Sequence, residues 1–192
     1  MRILYVVNNA AFFCSHRLPV ALAARQAGHE VALLTGQPGS ATMEGPALER
    51  LRQLGVTHRV TAFRSGGVAP WSEGLGLLQA VAFMRSWKPD LVHCASPKGV
   101  LYGGLAARLT RCAALVLAVS GMGSLFTRQR RGIGALARRA YLLMARLAYG
   151  HRNARVIVQN RDDQRLIVEN ELAGDDHVTL IPGSGVALQQ YV

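Results

Sequence analysis

Lys98 stands in Ser96-Pro97-Lys98-Gly99, between an apolar run that closes at Cys94 and a helical pattern that opens at Gly99. Backbone N–H groups at a helix start have no helical partner, and a cation beside them suits a phosphate or diphosphate. His16 and Arg17 end the segment that follows the first apolar run, Ile3 to Val7, and Asn9 lies near the start of that segment. Their side chains suit phosphate oxygens or ligand hydroxyls. Gly121 and Gly123, in Ser120-Gly121-Met122-Gly123-Ser124, allow a ligand to approach the backbone closely. Each has a plainer reading: His16 and Arg17 as a helix-start pair facing solvent, Lys98 as a surface lysine, the glycines as a turn.

The elements that must position these residues alternate between strand and helix patterns. Arg2 to Asn8, Glu30 to Leu34, Arg59 to Phe63, Leu91 to Cys94, Ala113 to Val119, Arg155 to Gln159 and Val178 to Ile181 read as short buried strands. Asn8 to Arg17 reads as a loop, with Pro19 in the first turn of the helix that ends at Gly28. Helices are predicted over Met43 to Leu54, Ser72 to Trp87, Gly99 to Leu109 and Ile133 to Tyr149. Another begins at Asn160, a capping residue followed by Asp162 and Asp163 in the first turn. The alternation gives an α/β fold, a doubly wound parallel (Rossmann-like) sheet of about seven strands with helices on both faces. In such sheets ligands bind beyond the carboxyl ends of the strands, where all the residues named above fall.

Composition narrows the classes. Half of the 192 residues are hydrophobic and 17% are charged, as in a globular protein with a large core. Three cysteines without CxxC spacing point to a reducing compartment, with Cys94 and Cys112 in the core. Six histidines show no metal-ligand spacing, so no metal site is expected. Asn8, Asn9, His16 and Arg17 interrupt what would otherwise resemble a signal peptide. No segment reaches the ~18 apolar residues of a membrane span. The net charge of +11 is unevenly placed: Leu91 to Arg161 carries twelve basic residues and no Asp or Glu, whereas the remainder holds ten basic and eleven acidic residues. Such a field favours an anionic partner.

Five segments together carry a family resemblance: NNAAFFCSHRLP (Asn8 to Pro19), DLVHCASPKGVLYGGLAAR (Asp90 to Arg108), SGMGSLF (Ser120 to Phe126), QNRDD (Gln159 to Asp163) and IPGSGV (Ile181 to Val186). In order and spacing they resemble the N-terminal domain of retaining glycosyltransferases of the GT-B fold, in the large bacterial polysaccharide and lipopolysaccharide family. The pattern is most similar to enzymes extending a sugar on undecaprenyl diphosphate. The resemblance implies half of a two-domain enzyme: residues 1–185 as the acceptor-binding domain, and 186–192 as the start of a linker to a nucleotide-sugar domain with a Glu-x7-Glu signature absent here. It implies no cofactor beyond the nucleotide-sugar donor as substrate, held mainly by the other domain, and a lipid-linked glycan as acceptor. Asn9, His16, Arg17, Lys98, Gly121 and Gly123 become acceptor-binding candidates. Many relatives place a histidine after the fifth strand; Val119-Ser120-Gly121 has none, leaving His16 as the catalytic candidate.

The helix from Ile133 to Tyr149 carries one apolar face, Ile133, Leu136, Ala137, Ala140, Met144, Leu147 and Ala148, expected in the core. Opposite it stand Arg138, Arg139, Leu142, Arg146 and Tyr149, preceded by Arg128, Arg130 and Arg131. Cations mixed with apolar groups suit a helix lying on anionic lipid. The expected location is therefore the cytoplasmic face of the cell membrane, bound peripherally. A solvated basic helix is the alternative, and no nucleic-acid recognition motif is present. The rival readings of the chain are a non-catalytic basic α/β module and a nucleotide-binding domain of another enzyme class, although no GxGxxG follows the first strand.

Overall fold

A computed structural model describes residues 1–38, 41–64, 69–121 and 133–183, with the backbone alone at 41–43 and 133–138. Seven parallel strands form one sheet: β1 (Arg2–Val7), β2 (Glu30–Gln37), β3 (Thr57–Arg64), β4 (Leu91–Ala95), β5 (Ala114–Val119), β6 (Ala154–Val158) and β7 (Val178–Leu180). Their order is β3-β2-β1-β4-β5-β6-β7, so the winding reverses between β1 and β4. The helices are α1 (Ala10–His16), α2 (Leu18–Gln26), α3 (Ala41–Gln53), α4 (Pro70–Trp87), α5 (Pro97–Thr110), α6 (Ile133–Tyr149) and α7 (Arg161–Glu169). This is the doubly wound sheet expected from the strand and helix patterns.

Alternation along the strands sorts the core into two layers. Ile3, Tyr5 and Val7 face α1, α2 and α3 together with Leu33, Phe13 and Ala21. Leu4, Val6, Val92, Cys94, Leu115 and Leu117 form the other layer beneath α4, α5 and α6. The central helix α5 is buried from Gly99 through Ala107, because glycines let it settle directly on the sheet. A Cβ on Gly103 would stand 2.5 Å from Cys94 Sγ, and one on Gly104 would stand 2.9 Å from Ala148 Cβ.

Two expectations are corrected. Asn8 to Arg17 is not a loop: Asn9 Oδ1 accepts the Phe12 N–H at 2.8 Å and caps a short helix, α1. The segment is apolar enough for Phe13 to anchor that helix edge-on against Tyr5. The second correction is the rotation of α6. Tyr149, expected outside, is buried, whereas Leu147, expected in the core, is 43% exposed. The close contact of Gly104 with Ala148 fixes this phase, turning Ala145, Ala148 and Tyr149 inward and Leu143 outward.

In the first layer His93 stacks on Tyr5 with ring centroids 5.0 Å apart, and its Nε2 is fully enclosed with no partner among the described residues. Burial, reinforced by the nearby Arg17 charge, pushes His93 down to about 4.

Two outcomes follow. Gly103→Ala should lower the unfolding free energy by about 1–3 kcal/mol through overpacking. Gly74→Ala, where an added Cβ meets nothing within 4 Å on exposed α4, should raise it by about 0.5–1 kcal/mol. Chemical denaturation measures both. Because the folded state resists protonating His93, the unfolded chain binds more protons between about pH 6.5 and 4, and stability must fall as the pH drops through that window. The loss should be on the order of 2–3 kcal/mol. His93→Phe should flatten most of that slope in thermal melts recorded across it, and an unchanged slope refutes the assignment.

Candidate functional site at the carboxyl edge of the sheet

The reversal point is laced shut by its own polar groups. The Asn8 N–H donates to Ser96 Oγ at 2.8 Å, and Ser96 Oγ donates to Asn8 Oδ1 at 2.8 Å. The Gly99 N–H also reaches Asn8 Oδ1, at 3.3 Å. A Cβ on Gly99 would lie 2.5 Å from the Val6 carbonyl oxygen, so only glycine lets the first turn of α5 rest on the β1 backbone. Ser96 is held at φ 69° and ψ 155°, a conformation that side-chain-bearing residues seldom take. Strain of this kind persists where surrounding bonds over-determine it, and it clusters at functional sites. Asn8, Ser96 and Gly99 were not singled out by residue type. Their role comes from bonds spanning 88 to 91 positions, beyond the reach of local pattern.

Lys98 does not stand open to the crevice. Its Nζ lies 2.6 Å from Glu73 Oε1 on α4, and both side chains are largely buried. Burial, and then the same Glu73 carboxylate, hold the Tyr102 phenol well above its ordinary range. The ammonium expected to meet a phosphate thus already meets a carboxylate, and an incoming anion must compete with Glu73 for it. The amides at the start of α1 are likewise engaged: Ala10 N–H and Ala11 N–H donate to the buried Glu44 carboxylate, each at 3.2 Å.

His16 ends α1 in an exposed position, stacked on Phe12 with centroids 4.6 Å apart and its Nδ1 2.6 Å from Ser15 Oγ. Arg17 is buried beside Tyr5 and His93, and its Nη1 donates to the His16 carbonyl at 3.4 Å. Its Nε is enclosed without a partner among the described residues. Asn9 spends its side-chain oxygen on the α1 cap. His16 and Arg17 therefore belong to the α1–α3 layer, whereas Lys98 belongs to the α4–α6 layer on the other face of the sheet. No described contact joins them.

What the structure does bring together lies one strand further on. Ser96 and Pro97 from the end of β4, Ser120 and Gly121 from the end of β5, and Tyr141 and Tyr149 from α6 meet, with Val100 and Val119, around a narrow crevice of about 20 Å³. Gly121 sits at φ 128°, which glycine tolerates without strain. That is room for about one water or one ligand hydroxyl beside the exposed turn, with the Ser96 and Ser120 hydroxyls and the tyrosine phenols around it. Of the expected site residues, Gly121 alone lines this crevice, and Gly123 lies outside the described residues. Among the described residues no group of three His, Cys, Asp or Glu side chains could hold a metal ion.

The outer surface of α6 exposes Arg139, Leu143, Arg146 and Leu147, with Leu142 half-buried. Arg146 Nη2 donates to Glu171 Oε2 at 3.3 Å. Arg128, Arg130 and Arg131 lie outside the described residues, as does the side chain of Arg138. No helix among the described residues is long and apolar enough to cross a membrane.

Comparison with known proteins places this edge in context. The chain superposes on an Anabaena protein, Alr3699/HepE, solved with UDP and glucose (TM-score 0.61, 16% identity, 100% of this chain and 46% of that one). It superposes on MurG of Acinetobacter baumannii (TM-score 0.58, 13% identity, 98% and 47%). It also superposes on a UDP-GlcNAc 2-epimerase of Methanocaldococcus jannaschii (TM-score 0.61, 12% identity, 95% and 46%). At these identities the likeness is one of fold: one half of a GT-B architecture. The chain spans about half the length of those proteins. No curated protein matches it in sequence. A sequence model of the glycosyl transferase 4-like domain, however, matches residues 15–183, and the chain belongs to that family.

Proposed function

We propose that this chain is the acceptor-binding half of a retaining, metal-independent glycosyltransferase that moves a sugar from a nucleotide donor to a polyprenyl-diphosphate-linked glycan. Residues 1–185 would form the acceptor domain and 186–192 would lead to the domain that holds the nucleotide-sugar. UDP bound by the Anabaena neighbour is consistent with a nucleotide-sugar donor.

On this reading the narrow crevice of Ser96, Ser120, Gly121 and Tyr141 receives one acceptor hydroxyl. Lys98 meets an acceptor phosphate by exchanging Glu73 for it. His16, exposed at the end of α1, is the remaining acid–base candidate on this half. Preorganised dipoles at such a site act without reorganising during reaction, which is where electrostatic catalysis is strongest. Leaving-group stabilisation falls to the donor half, so the present chain alone should show no turnover.

The same reading puts the enzyme on the cytoplasmic face of the membrane. Trp71, Leu75 and Leu78 recur at i, i+4 and i+7 on α4, with Trp71 92% and Leu78 67% exposed. They share a helix layer with the outward leucines and arginines of α6. The leucines and arginines of α6 lie in the segment free of acids from Leu91 to Arg161, and apolar side chains flanked by cations suit an anionic bilayer surface.

Two experiments test the proposal. Lys98→Met in the full-length enzyme leaves Glu73 buried and uncompensated, which should cost about 3–5 kcal/mol of stability. Adding Glu73→Gln should restore the melting temperature. If Lys98 also binds acceptor phosphate, the double variant keeps an acceptor KM raised at least tenfold while donor hydrolysis is unchanged; recovery of both would assign Lys98 a structural role alone. In flotation assays the protein should bind vesicles containing phosphatidylglycerol but not pure phosphatidylcholine, and Trp71→Ser/Leu78→Ser should reduce the bound fraction severalfold. Equal flotation on neutral vesicles, or an unaffected variant, contradicts membrane docking through this layer.

A further inference from the structure

The opposite, amino edge of the sheet carries a second constellation that the transferase chemistry does not use. Arg108 and Arg111 at the end of α5, and Arg152 in the turn before β6, line an open cavity of about 410 Å³ with Gly150 and His151. No carboxylate contributes to that lining. Arginines near helix C-termini often only offset the negative end of the helix. Arg108 does this: its Nη1 donates to the carbonyls of Leu147 and Gly150, closing α6. Arg111 and Arg152, both exposed, have no side-chain hydrogen bond or ion pair among the described residues, so their charge remains available.

The cavity is built rather than incidental. His151 is buried, and its Nε2 lies 2.9 Å from the Cys112 carbonyl while its Nδ1 accepts the Asn153 N–H at 3.2 Å. A carbonyl only accepts and an amide N–H only donates, so the ring is the neutral Nε2–H tautomer. Asn153 Nδ2 adds a bond to the Ala113 carbonyl at 3.0 Å. These ties clamp the Arg152 turn to the turn that carries Arg111, and Arg111 is itself fixed in the left-handed region at φ 54°. The backbone positions of Arg111 and Arg152 are thus held close together, and Arg108 is tied to the same turn through the Gly150 carbonyl.

Gly150 and His151 are also the wall of a neighbouring cavity of about 490 Å³, lined mainly by apolar groups including Tyr149, Val156, Val168 and Leu172, with Glu171 and His177 among its polar members. A basic compartment and an apolar one therefore share a wall two residues thick. Guanidinium groups match phosphate oxygens in a bidentate fashion, and an apolar chain leaving that phosphate would find the adjoining cavity.

We propose that the amino edge is a binding site for a phosphate group borne on an apolar chain, a lipid phosphate, with Arg108, Arg111 and Arg152 on the phosphate and the Val156–Val168–Leu172 cavity on the chain. The site lies apart from the acceptor crevice and from the outer surfaces of α4 and α6, and it takes one lipid molecule, so its binding can be measured with a short-chain lipid free in solution.

The test is calorimetric titration of the 192-residue protein with dihexanoyl phosphatidic acid below its micelle concentration, with inorganic phosphate, and with dihexanoyl phosphatidylcholine. The phosphatidic acid should bind one to one, at least tenfold more tightly than either inorganic phosphate or the phosphatidylcholine. Arg111→Glu/Arg152→Glu should weaken it at least tenfold, whereas Arg59→Glu/Arg85→Glu, an equal change of charge at exposed positions elsewhere, should leave it within twofold. Val168→Asp should weaken the lipid and leave phosphate unaltered. Equal affinity for phosphatidic acid and inorganic phosphate removes the apolar half of the site. Indifference to the Arg111/Arg152 pair, with melting temperatures confirming folded variants, overturns the site altogether.

Discussion

The absence of side chains along one stripe of α5 is the constraint on which most of this molecule depends. Gly99, Gly103 and Gly104 each stand where a Cβ would collide with β1, β4 or α6. Glycine in a helix interior costs about 1 kcal/mol relative to alanine, so three of them weaken α5 as an isolated helix. Close packing restores the balance, since it buries the helix from Gly99 to Ala107 against both the sheet and its neighbours. Seating α5 at that depth draws Gly99 within reach of Asn8, holds Ser96 in its strained conformation and sets the rotation of α6 through Ala148. The crevice at the carboxyl edge is therefore a consequence of how deeply one helix sinks.

Electrostatics divides the same structure into satisfied and unsatisfied ends. On the carboxyl edge the acids are spent internally, Glu44 on the first amides of α1 and Glu73 on Lys98. Each resembles an anion site already filled by the protein's own carboxylate, so ligand binding there must proceed by exchange or by hydroxyl contacts. The surplus of positive charge sits elsewhere, on α6 and around Arg111 and Arg152, where no acid in the segment from Leu91 to Arg161 can answer it. A protein whose cations were mere solubilising charge would scatter them. Here one half of the sheet holds all of the excess.

Sequence reading reached the sheet because parallel strands covered on both faces are nearly continuous apolar runs, as in Leu4–Val7 and Leu115–Val119. It reached the start of α7 because Asn160 caps by a local bond, its Oδ1 accepting the Asp163 N–H at 2.8 Å. It missed α1, whose seven residues carry no helical period long enough to register and whose stability comes from Phe13 against Tyr5. The partners of Lys98 and of the α1 amides were also invisible, since Glu73 and Glu44 lie 25 and about 33 positions away. The rotation of α6 escaped because its apolar residues, Leu142, Leu143, Leu147 and Tyr149, surround the helix too evenly. Only Gly104 on another helix decides which of them turn inward.

The length of α6 ties the proposed surfaces together. From Tyr141, which lines the crevice, to Gly150, which lines the amino-edge cavity, the chain advances nine residues, about 14 Å along α6 at 1.5 Å each. A helix of that length lying along a bilayer would hold its two ends at similar depth. A lipid phosphate gripped by Arg108, Arg111 and Arg152 at one end would then fix the tilt of the domain, and with it the height of the crevice at the other. Insertion of Trp71 and Leu78 from α4 alone would leave the domain free to roll about that line of contact. A second, phosphate-directed hold at the far end of α6 would remove that freedom, which is a geometric reason for pairing the proposed amino-edge site with the proposed docking through α4.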